Sequence, residues 1–400
     1  MLLIAWASLG VQVGALYGPD GLLPIGPSDS ALGLAVVVGA VLAVLGTARL
    51  WPRVTLPTSA CIYLVFCVLG GDFLAFQWDS LLVETGVLIA LLPQKARAPA
   101  IAWGFRLLLF KLYFESGVAK WQSHLGDWQD GSAMHAYYET APLPTALAPF
   151  AHALPGWWHD LESWWALFFE LVVPWLILVP HRWAGRAAFA IFTGFQILNF
   201  ATANYGFFIP LSVCLHLWLL QEPPGLTDRW WRWAVVVLWG GLSLNAGLDR
   251  FTDLPASTSV NRFFAGLRLV NTYHLFGHIT TERIEPEFQV LADDWTPLSL
   301  HYKPGPVDRA PPFVAPHQPR VDFRLWFYGL SYRRGTPLYV QAIAQKLCEE
   351  PQAVQSLFVE DLPAAPAAMR IAYWRYSFAD DTWWQRELIE VSPTVPCRRG

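Results

Sequence analysis

Ile101-Ala102-Trp103-Gly104-Phe105-Arg106-Leu107-Leu108-Leu109-Phe110-Lys111-Leu112-Tyr113-Phe114-Glu115-Ser116-Gly117-Val118-Ala119-Lys120 is long and apolar enough to be a membrane helix, yet it carries four charges. About 20 mostly apolar residues span a bilayer, and a charge at its centre costs roughly 2.5–3.5 kcal/mol on insertion scales. Such residues are kept inside a helix bundle for a purpose. The surrounding composition agrees: of 400 residues, 54% are hydrophobic and 14% charged, against about 25% charged in soluble domains. Apolar residues dominate to about Leu248, after which Pro and charge rise. The expected architecture is therefore mainly α. A polytopic helix bundle over 1–250, including an exported loop at 120–160, precedes a small soluble α+β domain over 273–400.

Candidate spans fall at 2–16, 31–50, 56–71, 80–92, 101–119, 161–179, 187–203, 205–220 and 230–247, about nine in all. Basic loop residues give an independent check. Arg49 and Arg53, Lys95 and Arg97, His181, Arg182 and Arg186, and Arg229 and Arg232 fall in one set of loops. The alternate loops hold Asp20 and Asp29, Asp72 and Asp79, then Asp127, Asp130, Glu139, Asp160 and Glu162. Nine spans let the two sets alternate, with a cytoplasmic N-terminus and the C-terminal domain exported. The first apolar stretch lacks a basic leader and a small-residue cleavage site, so it reads as a retained span.

At 100° per residue, Arg106, Tyr113, Gly117 and Lys120 share one side of the 101–120 helix, while Lys111 and Glu115 are i,i+4 neighbours on another. Lys111 and Glu115 are expected to neutralise each other, and Arg106 to snorkel to the inner interface. Lys120 has two readings. It either snorkels outward, or it is a buried amine that gives up its proton readily and can act as a base. Glu84 and Glu170 are available partners for Arg106, Lys111 or Lys120, and the sequence does not choose among them. Gln196 and Asn199 share a face at i,i+3 and are expected to bridge helices by hydrogen bonds.

No metal site is expected. His274 and His278 are i,i+4, but the β-formers of 273–279 suggest a strand there. No P-loop, dinucleotide fingerprint or nucleophile elbow occurs. A net charge of −4 gives no reason to expect nucleic acid. Of five cysteines, Cys348 and Cys397 fall in the expected exported domain and could pair. That domain reads as a strand over 279–291 interrupted by Pro286, a turn at 293–297 and a returning strand at 298–302. Irregular chain follows over 303–319, then helices at 321–330, 338–349 and 353–359, and strands at 369–378 and 387–391.

The run from Phe105 to Lys120, Tyr138-Glu139-Thr140 with Pro142 and Pro144, Glu170-Leu171-Val172-Val173-Pro174 and Asn204-Tyr205-Gly206-Phe207 resemble the lipase maturation factor family. So do Thr280-Thr281-Glu282-Arg283, Tyr302-Lys303-Pro304-Gly305 and Ala315-Pro316-His317-Gln318-Pro319-Arg320-Val321-Asp322. Tyr137, where the family has histidine, and Ala141, in place of a polar residue, depart from the pattern. The resemblance implies a chaperone-like membrane protein that assists folding of exported clients such as lipases, with membrane lipids as its other partners and no cofactor. It implies the endoplasmic reticulum membrane in a eukaryote and the inner membrane in a bacterium, with the C-terminal domain lumenal or periplasmic. Glu139 and Asn204 join the expected polar core on its motifs.

A shorter resemblance supplies a rival. Gly117-Val118-Ala119-Lys120 followed by Asp127-Trp128 and Gly131 is similar to a segment of the vitamin K-dependent γ-glutamyl carboxylases. It implies an integral membrane enzyme with Lys120 as base and a quinone-type lipid cofactor. Burial of Lys120 is the feature that this rival needs.

Overall fold

The computed structural model describes residues 1–93 and 97–397. Lys95, counted above among the basic loop residues, lies outside them. The first half is helical, with α1 (Leu2–Gly10), α2 (Val13–Tyr17), α3 (Asp29–Thr47), α4 (Pro52–Leu69), α5 (Gln77–Ala90) and α6 (Pro99–Trp121). Short helices α7 (Ala133–Thr140) and α8 (Ala148–His152) form the loop after α6. Then come α9 (Gly156–Leu171), α10 (Trp175–Leu178), α11 (Arg182–Thr202), α12 (Phe208–His216), α13 (Trp230–Phe251) and α14 (Thr258–Gly266).

Each expected span has a helical counterpart, but the count of about nine is not reached by length and apolarity. Among the described residues, three helical stretches suffice on those grounds: Asp29–Thr47, Pro52–Leu69 and Gly156–Leu178. The others fall short for physical reasons. The first candidate breaks between α1 and α2, α5 has only 14 residues, and α6 carries its four charges. In the bundle α3 packs on α1 and α4, α4 on α5, and α6 on both α9 and α13, while α11 packs on α12. Gly117 is what lets α6 approach α9: a Cβ there would lie 2.8 Å from the Glu170 carbonyl carbon. Small residues permit such close helix contacts.

The C-terminal region has β1 (Arg283–Leu291), β2 (Trp295–Leu298), α15 (Arg320–Gly329), α16 (Leu338–Glu349), α17 (Pro351–Val354), β3 (Ala368–Phe378), β4 (Trp384–Val391) and β5 (Val395–Pro396). The sheet is antiparallel in the order β2-β1-β3-β4, with β5 pairing β3. Pro286 does not interrupt β1, because β2 covers only Phe288–Leu291 and leaves the Pro286 stretch an open edge on that side. The returning strand starts earlier than expected, at Trp295, so the turn is shorter. Segment 273–279 is not a strand at all. Cys348 and Cys397 form a disulfide that ties α16 to the end of the chain.

Candidate functional site

Two of the buried charges of α6, with polar groups of α5 and of the loop after α6, are spent on the backbone of the linker that joins α14 to β1. Glu84 Oε1 accepts the Asn271 N–H at 2.8 Å and its Oε2 accepts the Tyr273 hydroxyl at 3.0 Å. Glu115 Oε2 accepts the Tyr273 N–H at 2.7 Å. The Lys120 amine donates to the Leu275 carbonyl at 2.8 Å, and Asp127 Oδ2 accepts the Ile279 N–H at 2.6 Å. Gln77 Oε1 takes the His274 N–H at 2.9 Å. Backbone N–H groups packed against the bundle outside any helix or strand need other partners, and these side chains supply them. This also explains why 273–279 is irregular despite its β-formers: its N–H groups go to side chains, not to a neighbouring strand.

These partners correct two expectations and choose between the two readings of Lys120. Lys111 pairs with Glu84 at 3.4 Å and donates to Ser243 Oγ at 3.1 Å, instead of pairing with Glu115. Arg106 does not snorkel. It is 1% exposed and donates to the Ile177 carbonyl, at 2.9 Å, at the end of α10. Lys120 does not snorkel either. It is 3% exposed, 2.6 Å from Glu170 Oε2, with its amine 5.2 Å from the Trp128 ring centre. Helical spacing made Glu115 a near neighbour of Lys111, but the linker N–H groups compete for that carboxylate, a contest visible only in three dimensions.

Beside the Lys120–Glu170 pair lies a cavity of about 100 Å³ between α6, α9 and α11. Gln196 and Asn199 both line it, with Tyr137 and Tyr205. Tyr137 donates to Asn199 Oδ1 at 3.1 Å and its hydroxyl is 2.7 Å from that of Tyr205. Gln196 donates to the Tyr113 hydroxyl at 3.0 Å.

Other sequence-selected residues hold the C-terminal region to the bundle. Asn204 bridges by donating to the Pro312 carbonyl at 2.9 Å and accepting from the Val314 and Ala315 N–H groups. Glu139 Oε2 accepts the Phe378 N–H at 2.8 Å, and its carbonyl accepts from Arg283 at 3.0 Å. Three attachments carried no assigned role in the sequence. Arg320, fully buried, makes a bidentate pair with Asp79 at 2.5 and 2.8 Å. Arg283 also donates to the carbonyls of Ala141 and Pro142. Arg324 reaches Asp72 at 2.7 Å. Behind Arg283, Glu285 bridges it to Lys303, both at 2.6 Å. Burial pushes the Lys303 amine down to about 8, opposed by the attraction of Glu285. The signal available was the motifs themselves, since Arg283, Lys303 and Arg320 all stand in the C-terminal runs quoted above.

One consequence is one-sidedness. Asp72 and Asp79 from one acidic loop, and Asp127 and Glu139 from the next, all bond to residues after 270. A groove of about 660 Å³ runs between that end of the bundle and α15, with Trp326 and Phe327 on one wall and His274 and His278 on another.

Fold and site together define a helical membrane protein whose polar core anchors a C-terminal α+β region at one end. The chain belongs to the lipase maturation factor family: the lipase maturation factor transmembrane domain matches residues 25–224 and the lipase maturation factor C-terminal domain matches 269–393. Lipase maturation factor 2 of Rattus norvegicus is 29% identical, over 97% of this chain and 80% of that protein. Lipase maturation factor 2 of Homo sapiens is 28% identical, over 98% and 80%. Lipase maturation factor 1 of Homo sapiens is 27% identical, over 82% and 68%. No solved structure matches the chain.

Proposed function

We propose that this protein assists the folding of exported client proteins, lipases among them, on a surface built jointly by the 120–160 loop and the 273–400 domain. The observation that carries the reading is the use to which the buried charges are put: Glu84, Glu115, Lys120 and Asp127 all fix linker backbone. They serve to hold the C-terminal domain in place. The relatives, lipase maturation factors 1 and 2, supply the client class. Lys120 is buried, as the carboxylase-like alternative needs, but its amine is committed to Glu170 and a carbonyl, and that alternative gains nothing from those relatives.

In this reading the membrane domain covers 1–250 with nine spans, the N-terminus is cytoplasmic, and the acidic loops and C-terminal domain face the exported side. The Cys348–Cys397 disulfide supports that side, because disulfides persist in oxidising compartments. Clients engage the groove beside α15. The test is co-expression with a secreted lipase, measuring active enzyme exported. Phe327→Asp, on the groove wall, is expected to cut active lipase several-fold while this protein's own level and melting stay unchanged. Undiminished lipase after deletion of 273–400 would overturn the proposal.

A further inference from the structure

The cavity beside Lys120 is lined by α9 and α11 on its side away from α6 and contains a buried acceptor that nothing among the described residues satisfies. Its outer wall is where α9 and α11 part: α9 packs along α6 and α11 along α12, while Phe169 and Phe195 touch at 5.8 Å between ring centres. Around that contact the surface is apolar and exposed, with Trp165 and Leu198 on the cavity lip and Phe168 and Ile197 beside them. Inside, Gln196 is 3% exposed and its Oε1 has no hydrogen-bond partner among the described residues. A buried acceptor left unpaired costs about 1–3 kcal/mol, so a donor belonging to another molecule would be favoured there.

A second acceptor lies nearby. With the Tyr137 hydroxyl donating to Asn199 Oδ1, the Tyr205 hydroxyl donates to Tyr137 and keeps its own lone pairs free. Two acceptors call for a head with two donors. They also call for a neutral head, because Lys120 is already balanced by Glu170 and an added buried charge would stand unpaired. We propose that this cavity is a binding site for a neutral single-chain lipid with a hydroxylated, glycerol-like head. The head bonds Gln196 Oε1 and the Tyr205 hydroxyl, and the chain leaves between α9 and α11 over Phe169 and Phe195. About 100 Å³ holds the head and first methylenes, with the rest of the chain in the bilayer. The cavity shares Tyr137, Leu275 and Phe276 with the client groove, but photolabelling reads lipid binding alone and exported lipase activity reads the proposed function, so the two can fail separately.

The experiment uses the full chain in lipid nanodiscs and a long-chain 1-O-alkylglycerol carrying a photoreactive diazirine near its head. Saturable labelling is expected on α9 and α11 around Phe169, Phe195 and Gln196, displaced by unlabelled alkylglycerol and not by the fatty acid of equal length. Gln196→Leu is expected to weaken labelling about five-fold, the worth of one neutral hydrogen bond. Labelling that follows surface exposure, without saturation or displacement, overturns the site, as does equal displacement by the fatty acid. Should Gln196→Leu fail to fold, the competition on the unaltered protein still decides.

Discussion

Lys120 and Glu170 form a buried pair whose two members depend on each other. Removing one partner of such a pair costs about 3–5 kcal/mol, because the other is left charged without water, whereas replacing both by apolar groups is often near neutral. Lys120→Met alone is therefore expected to lower the melting temperature strongly, and Lys120→Met combined with Glu170→Leu to recover most of it. Thermal unfolding in detergent measures both. Client maturation is expected to return with stability in the double variant; a stable double variant that stays inactive would restore a chemical role to Lys120. The sequence made these charges conspicuous but not their partners, because Glu84, Glu115 and Glu170 lie on three helices and the competing donors are linker N–H groups.

At the scale of elements, the α6–α9 contact and the linker explain one another. Gly117 brings the helices close enough for Lys120 to reach Glu170, and the same amine then reaches Leu275. Gly117→Ala is expected to push α9 away at a cost of about 1–3 kcal/mol, the usual range for overpacking. An amine-directed label on Lys120, unreactive in the parent protein, is expected to become reactive in the variant. Unchanged labelling and melting would show that the helices adjust without loss. Helix positions followed from apolar length, and β1, β3 and α16 from alternation and periodicity. The linker did not, since its residues favour strand and only the buried carboxylates around it impose another course.

For the whole molecule, the decisive contact is Arg320 with Asp79, which fixes α15 to the start of α5. Asp79→Ala is expected to leave the Arg320 guanidinium buried and unpaired and to loosen the C-terminal domain, again at about 3–5 kcal/mol. Limited proteolysis is the measure: cleavage within 303–319 is expected to rise well above that of the parent, with exported lipase activity falling in step. Parent-like resistance would mean that Arg283 and Asn204 hold the domain without Asp79.

The sequence by itself determined the helical membrane character, the change of composition near 250, the family motifs and the identity of the polar residues, because apolar length and residue order are local properties. Tertiary structure alone decided which charges pair. It left Gln196 with an open acceptor, and it turned a membrane-length helix with four charges into the anchor of a distant linker. Those outcomes are contests between donors and acceptors far apart in the chain, and only packing brings the contestants together.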